Sequence, residues 1–213
     1  MRLIVFGVFL FCTSLSAQVG GSNTYQFLDL FPSPRHMSLG TWVSTLSTAS
    51  IHSSLANPAQ VSDSIRGQIM FNYQPYFAGI NRGTAAAAIT LNESHTILID
   101  TRFVHYGTFD ERDIFGEKIG EFSGNEVALG VAYSYAIDSK NLRVGARLNL
   151  VSSTLADYQS MGWTSDLGLY HESQSSRYRF ALVARNIGSQ FTTYDNVKEL
   201  SLIHISEPTR RPI

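Results

Sequence analysis

Asp100, Arg102, Arg143, Arg147, Asp166, Arg179 and Arg185 are carboxylates and guanidiniums set inside runs that alternate with large apolar residues. Charges placed this way share one face of a strand-like segment. They can pair with one another and stiffen a packed interior, or they can line a watery path for a solute. Pairing is the commoner fate of interior charge, because an isolated buried ion is costly. Other chemistry is sparse. The six histidines, at 36, 52, 95, 105, 171 and 204, show no H-E-x-x-H spacing. There is no G-x-S-x-G nucleophile turn and no glycine loop that would cradle phosphate. The acidic run Asp110-Glu111-Arg112-Asp113 is broken by its arginine and reads as a solvated loop tip rather than a cation site. Asn92-Glu93-Ser94 has the form of a glycosylation sequon but falls in a turn. The sequence therefore predicts a non-enzymatic protein with no metal and no cofactor.

The elements that would hold these charges are strands. Of 213 residues, 15% are charged and 12% aromatic, and the net charge is −1. Few charges, many aromatics and no long apolar run point to an all-β chain, and the near-neutral balance offers nucleic acid no basic surface. Residues 1–17 read as a signal peptide: Arg2, the apolar run LIVFGVFLF, then Leu15-Ser16-Ala17 before a cut at Gln18. That run is too short to span a bilayer, which needs about 20 residues. Cys12 is the only cysteine, so a chain cut there would carry no thiol.

Residues 18–66 are rich in Pro, Gly, Ser and Thr yet keep Phe27, Leu28, Leu30 and Met37, which a solvated linker would not. We read this stretch as a folded plug. From residue 67 the period becomes two. In EVALGVAYSYAI, Leu129, Val131, Tyr133, Tyr135 and Ile137 share one face and Ala128, Gly130, Ala132, Ser134 and Ala136 the other. Seven such segments are predicted, at 67–75, 82–91, 95–107, 126–137, 142–154, 163–171 and 177–188. Short turns at 92–94, 138–141 and 172–176 alternate with a long charged loop at 108–125 and an intermediate one at 156–162. One face carries Ile97, Ile99, Phe103, Leu129, Val131, Leu148, Leu167, Leu169, Phe180 and Leu182; the other carries the seven charges. Two architectures share this pattern. In a soluble β-sandwich the apolar face is the core. In a transmembrane barrel it meets lipid and the charges face the lumen. Strands of roughly 9–11 residues, long and short connections in turn, and aromatics near strand ends (Tyr133, Tyr135, Trp163, Tyr170 and Tyr178) favour the barrel.

The stretches YQFLDLFPSPRHMSLG, LANPAQV, NYQPYFAGINRGTAAAA, EVALGVAYSYAI, MGWTSDLGLYH and FALVARNIGSQFTTY, in this order between Gln18 and about Glu199, resemble the PorV/PorQ group of type IX secretion outer-membrane proteins, and more distantly the FadL fold. Thr41 stands after Leu39-Gly40 where the group often has a second Gly. The resemblance implies an antiparallel transmembrane β-barrel of fourteen strands with an N-terminal hatch. Residues 18–66 would be that hatch, carrying Asn57-Pro58-Ala59, and 67–199 the first half of the barrel. It further implies an outer-membrane location, contact with outer-membrane lipid, and partners of the PorZ-like, PorU-like and PorV-like kinds, which process secreted cargo and attach it to the cell surface. A FadL-like transporter of hydrophobic molecules and a soluble secreted β-sandwich remain the alternatives.

The last stretch, residues 200–213, abandons the alternation. Leu200 to Arg210 reads like the translation of a transposase-type sequencing adapter, so we expect it to be non-native. Seven strands would then be about half of the implied barrel, and the expected form is an open curved sheet.

Overall fold

A computed structural model describes residues 25–30, 33–40, 44–45, 50–137, 141–173, 175 and 177–193. The proposed signal peptide at 1–17 and the tail at 200–213 lie outside them. The described chain is all-β apart from short helical turns, and its strands form one open antiparallel sheet of seven in the order β1-β2-β3-β4-β5-β6-β7. The strands are β1 (Ile69–Pro75), β2 (Asn81–Asn92), β3 (His95–Arg112), β4 (Lys118–Ile137), β5 (Leu142–Leu155), β6 (Tyr158–Glu172) and β7 (Arg179–Thr192). Before them come α1 (Pro34–Ser38), α2 (Ile51–Ala56) and 3-10 turns at Gln26–Asp29, Pro58–Gln60 and Asp63–Ile65. Among the described residues no helix is long and apolar enough to cross a membrane, which says nothing of strands.

The two faces of the sheet differ in kind. One face presents small side chains, with Ala86, Ala88, Ala128 and Ala132 buried beneath the N-terminal turns. Ile51, Leu55, Ala56, Val61 and Ile65 pack there against Met70, Leu98 and three of those alanines. A second cluster joins Tyr25, Phe27 and Leu28 to Val104, Ala128 and Val151. The opposite face carries the large apolar side chains and leaves them uncovered. Leu129, Val131, Leu148, Leu167, Phe180 and Leu182 are all at least half exposed. The described residues contain one sheet, so no second sheet covers this face as a sandwich would require.

Several sequence expectations need correction. The charged stretch 108–125 is not a loop. β3 runs on to Arg112 and β4 starts at Lys118, with Phe109 opposite Phe122 and Asp110 opposite Glu121, which leaves a turn of 113–117. A hairpin solvated on both faces needs only its backbone ladder, so it shows no apolar period. The 156–162 stretch shrinks likewise to a turn at Ala156-Asp157, with Ala156 at φ 51° and Tyr158 already paired to Leu155. Trp163 is therefore central in β6, opposite Leu150, rather than at a strand end. Tyr170 is 1% exposed and points to the plugged face, so it joins no outward girdle. Tyr133 and Tyr135 do lie outward near the end of β4, where both stack with His95.

Candidate functional site

The charged face lies under the N-terminal segment, and its chemistry is that of a clasp. Asp100 on β3 and Arg147 on β5 are separated by β4, where the residue opposite Asp100 is Gly130. A Cβ on Gly130 would come within 2.7 Å of both the Asp100 carboxylate and the Asn149 amide oxygen. Its absence lets the carboxylate reach over the strand. Arg147 Nη2 then lies 3.4 Å from Asp100 Oδ2, and Arg102 Nε lies 3.1 Å from Oδ1. Asp100 is 3% and Arg147 2% exposed. The attraction must therefore offset a desolvation cost of several kcal/mol per ion, and extra hydrogen bonds help it do so.

Those extra bonds reach the N-terminal segment. Arg147 Nη1 donates to the Leu55 carbonyl at 3.1 Å and Nη2 to that of Ser54 at 3.4 Å. Both carbonyls belong to the last turn of α2, where the helix provides no partner of its own. Arg102 Nη1 donates to the Leu28 carbonyl at 3.3 Å. Two sheet arginines, bridged by one aspartate, thus hold two separate pieces of the N-terminal segment.

Asn57-Pro58-Ala59 forms the second contact. Asn57 ends α2 and begins the next turn, its Oδ1 accepting from Ala59 N at 2.9 Å. Its Nδ2 donates across to the Leu169 carbonyl on β6 at 3.1 Å. The approach is close because the sheet offers glycine there. A Cβ on Gly168 would stand 2.1 Å from Asn57 Oδ1, and one on Gly145 would stand 2.4 Å from the Pro58 carbonyl carbon.

Of the remaining predicted charges, Asp166 stands opposite Arg147 in the β5–β6 register without forming an ion pair with it, and the other three lie outside the cluster. Asp166 is buried and accepts from the Asn186 backbone N–H at 2.8 Å. Asn186 sits at φ 54° beside an irregularity in the β6–β7 register, and its Nδ2 donates to Asp29 Oδ1 at 3.2 Å. Burial raises the Asp29 carboxyl above its ordinary pKa, against the nearby Arg185 and the Asn186 hydrogen bond, which lower it. Arg185 is half-buried on this side. Arg143 lies over the Tyr170 ring, 4.7 Å from its centroid, and Arg179 makes an exposed pair with Glu172 at 3.1 Å. These two arginines stand at the rim.

Asn186, Asn149 and Glu126 do work that sequence reading missed. Glu126 accepts from the Tyr106 and Ser153 hydroxyls, and Asn149 donates to Thr164 Oγ1 at 3.0 Å. An Asn within the alternating run of β7, where left-handed backbone favours it, was the one available signal.

The arrangement ties the N-terminal segment to the sheet. The cavity beside Arg102, lined by Phe27, Asn72, Arg82 and Thr84, offers about 10 Å³, roughly one water molecule. Among the described residues no three His, Cys, Asp or Glu side chains gather to hold a metal. Asp110 is instead engaged by Arg112 at 2.7 Å and Lys118 at 2.8 Å. No family model, curated protein or solved structure matches the chain.

Proposed function

We propose that the chain is a non-enzymatic outer-membrane component of a type IX secretion system, of the PorV/PorQ kind, anchoring the surface proteins that process and attach secreted cargo. The membrane part rests on one observation. Along β5, Arg147 is 2% exposed while its neighbour Leu148 is 51% exposed. Burying guanidinium and baring leucine is the reverse of a water-facing sheet, and it suits a sheet whose outer face meets hydrocarbon. The secretion part rests on the ordered sequence resemblance. The clasp suits a hatch tied down inside such a barrel, and the choice of an anchor over a FadL-like conduit rests on the same resemblance.

Fractionation and co-purification test this reading together. The protein should stay with outer membranes through a carbonate wash and bring down PorZ-like partners in mild detergent. A lipid-uptake defect on deletion, with no such partner recovered, would favour the transporter. Solubility without detergent would favour the secreted sandwich.

A further inference from the structure

The hairpin formed by the far ends of β3 and β4 leaves the sheet at a defined point. Tyr106 and Gly107 together face the single residue Gly124, a bulge with Gly107 at φ 80°. A Cβ on Gly107 would stand 3.3 Å from the carbonyl oxygens of Ala78 and Gly79, so the hairpin departs tightly against the β1–β2 turn. Bulges re-aim strands, and beyond this one the ribbon is solvated.

The ribbon is cross-braced by side-chain contacts and its tip is apolar. Phe109 and Phe122 stack with centroids 5.3 Å apart. Asp110 binds both Arg112 and Lys118, and Lys118 also binds Glu121. In the turn, Asp113 Oδ1 accepts from the N–H groups of Phe115 and Glu117, both at 2.9 Å, and Arg112 Nη1 donates to the Gly116 carbonyl at 2.9 Å. This framework holds Ile114 at 94% and Phe115 at 83% exposure. Tyr76 and Phe77, on the adjoining turn, are exposed as well. Holding bare apolar side chains on a fixed turn removes ordering cost from a binding event.

We propose that this hairpin is a docking element, in which Ile114 and Phe115 seat in an apolar pocket of a partner protein whose rim is cationic. The charge follows from the sequence. Across residues 110–121, five carboxylates (Asp110, Glu111, Asp113, Glu117, Glu121) stand against two cations (Arg112, Lys118), a net of −3. Glu111 and Glu117 make no ion pair among the described residues. That surface is repelled by anionic lipid headgroups. A second copy would bring a like-charged tip to the contact. A protein pocket with an aromatic-accepting centre and a basic rim satisfies both parts, in the pattern of a desolvated anchor inside a polar ring. The proposal rests on the anchor reading above and assigns its partner contact.

The test is photo-crosslinking in intact outer membranes with Phe115→p-benzoylphenylalanine, followed by mass spectrometry of the adduct. We expect one partner protein, linked at an apolar site flanked by Lys or Arg. In co-purification, I114S/F115S should cut recovery of that partner about tenfold or more. E111K/E117K should cut it severalfold and flatten its dependence on salt. Both variants alter only exposed groups, so unchanged melting confirms an intact fold. An adduct to lipid alone, an adduct to a second copy alone, or undiminished recovery with both variants would overturn the docking role. If the native chain recovers its partners and the variants do so equally, the hairpin assignment fails and the anchor reading survives. If the native chain recovers none, the anchor reading fails first.

Discussion

Arg147 ties the N-terminal segment to the sheet from a fully buried position. It satisfies two α2 carbonyls and neutralises Asp100, with no exposed surface on its side chain. Arg147→Met should destabilise the protein by about 3–5 kcal/mol, because Asp100 loses one of its two cations. The companion D100N/R147M should recover part of that loss, since the stranded charge is gone. Denaturant midpoints of the two variants in detergent check both statements. A smaller side chain governs the other contact. Gly168→Ala would set a methyl against Asn57 Oδ1, at a place where the Cβ position is 2.1 Å away. We expect the Asn57 bond to Leu169 to break and protease cleavage within 50–66 to accelerate, while the sheet stays protected. The seven charges were legible in the sequence as members of one face. That Asp100 and Arg147 would meet was not, because the meeting depends on an absent side chain at Gly130, on a strand between them.

At the scale of elements, the strands with one apolar face were readable because alternation records which side chains are covered alike. The distal β3–β4 hairpin was not, because solvent on both faces erases the period while the backbone ladder persists. The short helices were also missed: α1 and α2 span five and six residues, too few to show a helical period. Their signals were the caps. Ser33 precedes Pro34 and accepts from the His36 N–H, and Ser50 accepts from that of His52. Each histidine ring returns to the same serine, both at 3.2 Å from Nδ1 to Oγ. These rings make the segment sensitive to pH. Burial lowers the pKa of His36 from its ordinary 6.5, with the positive charges of His52 and Arg35 adding to it, and burial lowers His52 as well. A lowered histidine favours the neutral form in the folded state. Its stabilisation is complete above about 6.5 and declines as pH falls from there toward the folded-state value. Amide protection factors over 33–38 and 50–60, corrected for the intrinsic exchange rate at each pH, should therefore fall between pH 7 and 5, while those of β3–β5 change little. H36Q/H52Q should remove most of that dependence, and an unchanged profile in the variant would assign it elsewhere.

For the whole molecule, the sequence left open which face was interior, and that question separates a barrel from a sandwich. Periodicity divides residues into two sets but does not say what covers each set. Residue size gives a further clue: the set holding Ala86, Ala128, Gly130, Ala132, Gly145 and Gly168 has room for something to approach, whereas the leucine set does not. The N-terminal segment uses that room, so the small-and-charged set became the packed interior. The leucine set is left uncovered among the described residues, facing whatever surrounding the sheet has. Leu148, midway along β5 and paired with Val131, samples that surrounding directly. If it is hydrocarbon, Leu148→Lys should cost about 2–4 kcal/mol when the protein is equilibrated with lipid vesicles, as expected for a cation near the bilayer midplane. The same change at Met161, on the same outer face but near the start of β6, should cost no more than about 1 kcal/mol, because depth sets the penalty. Equal costs at the two positions would mean that water or another protein covers the face. The gradient between them is thus the measurement that identifies the solvent of the outer surface, and it does so without reference to any partner.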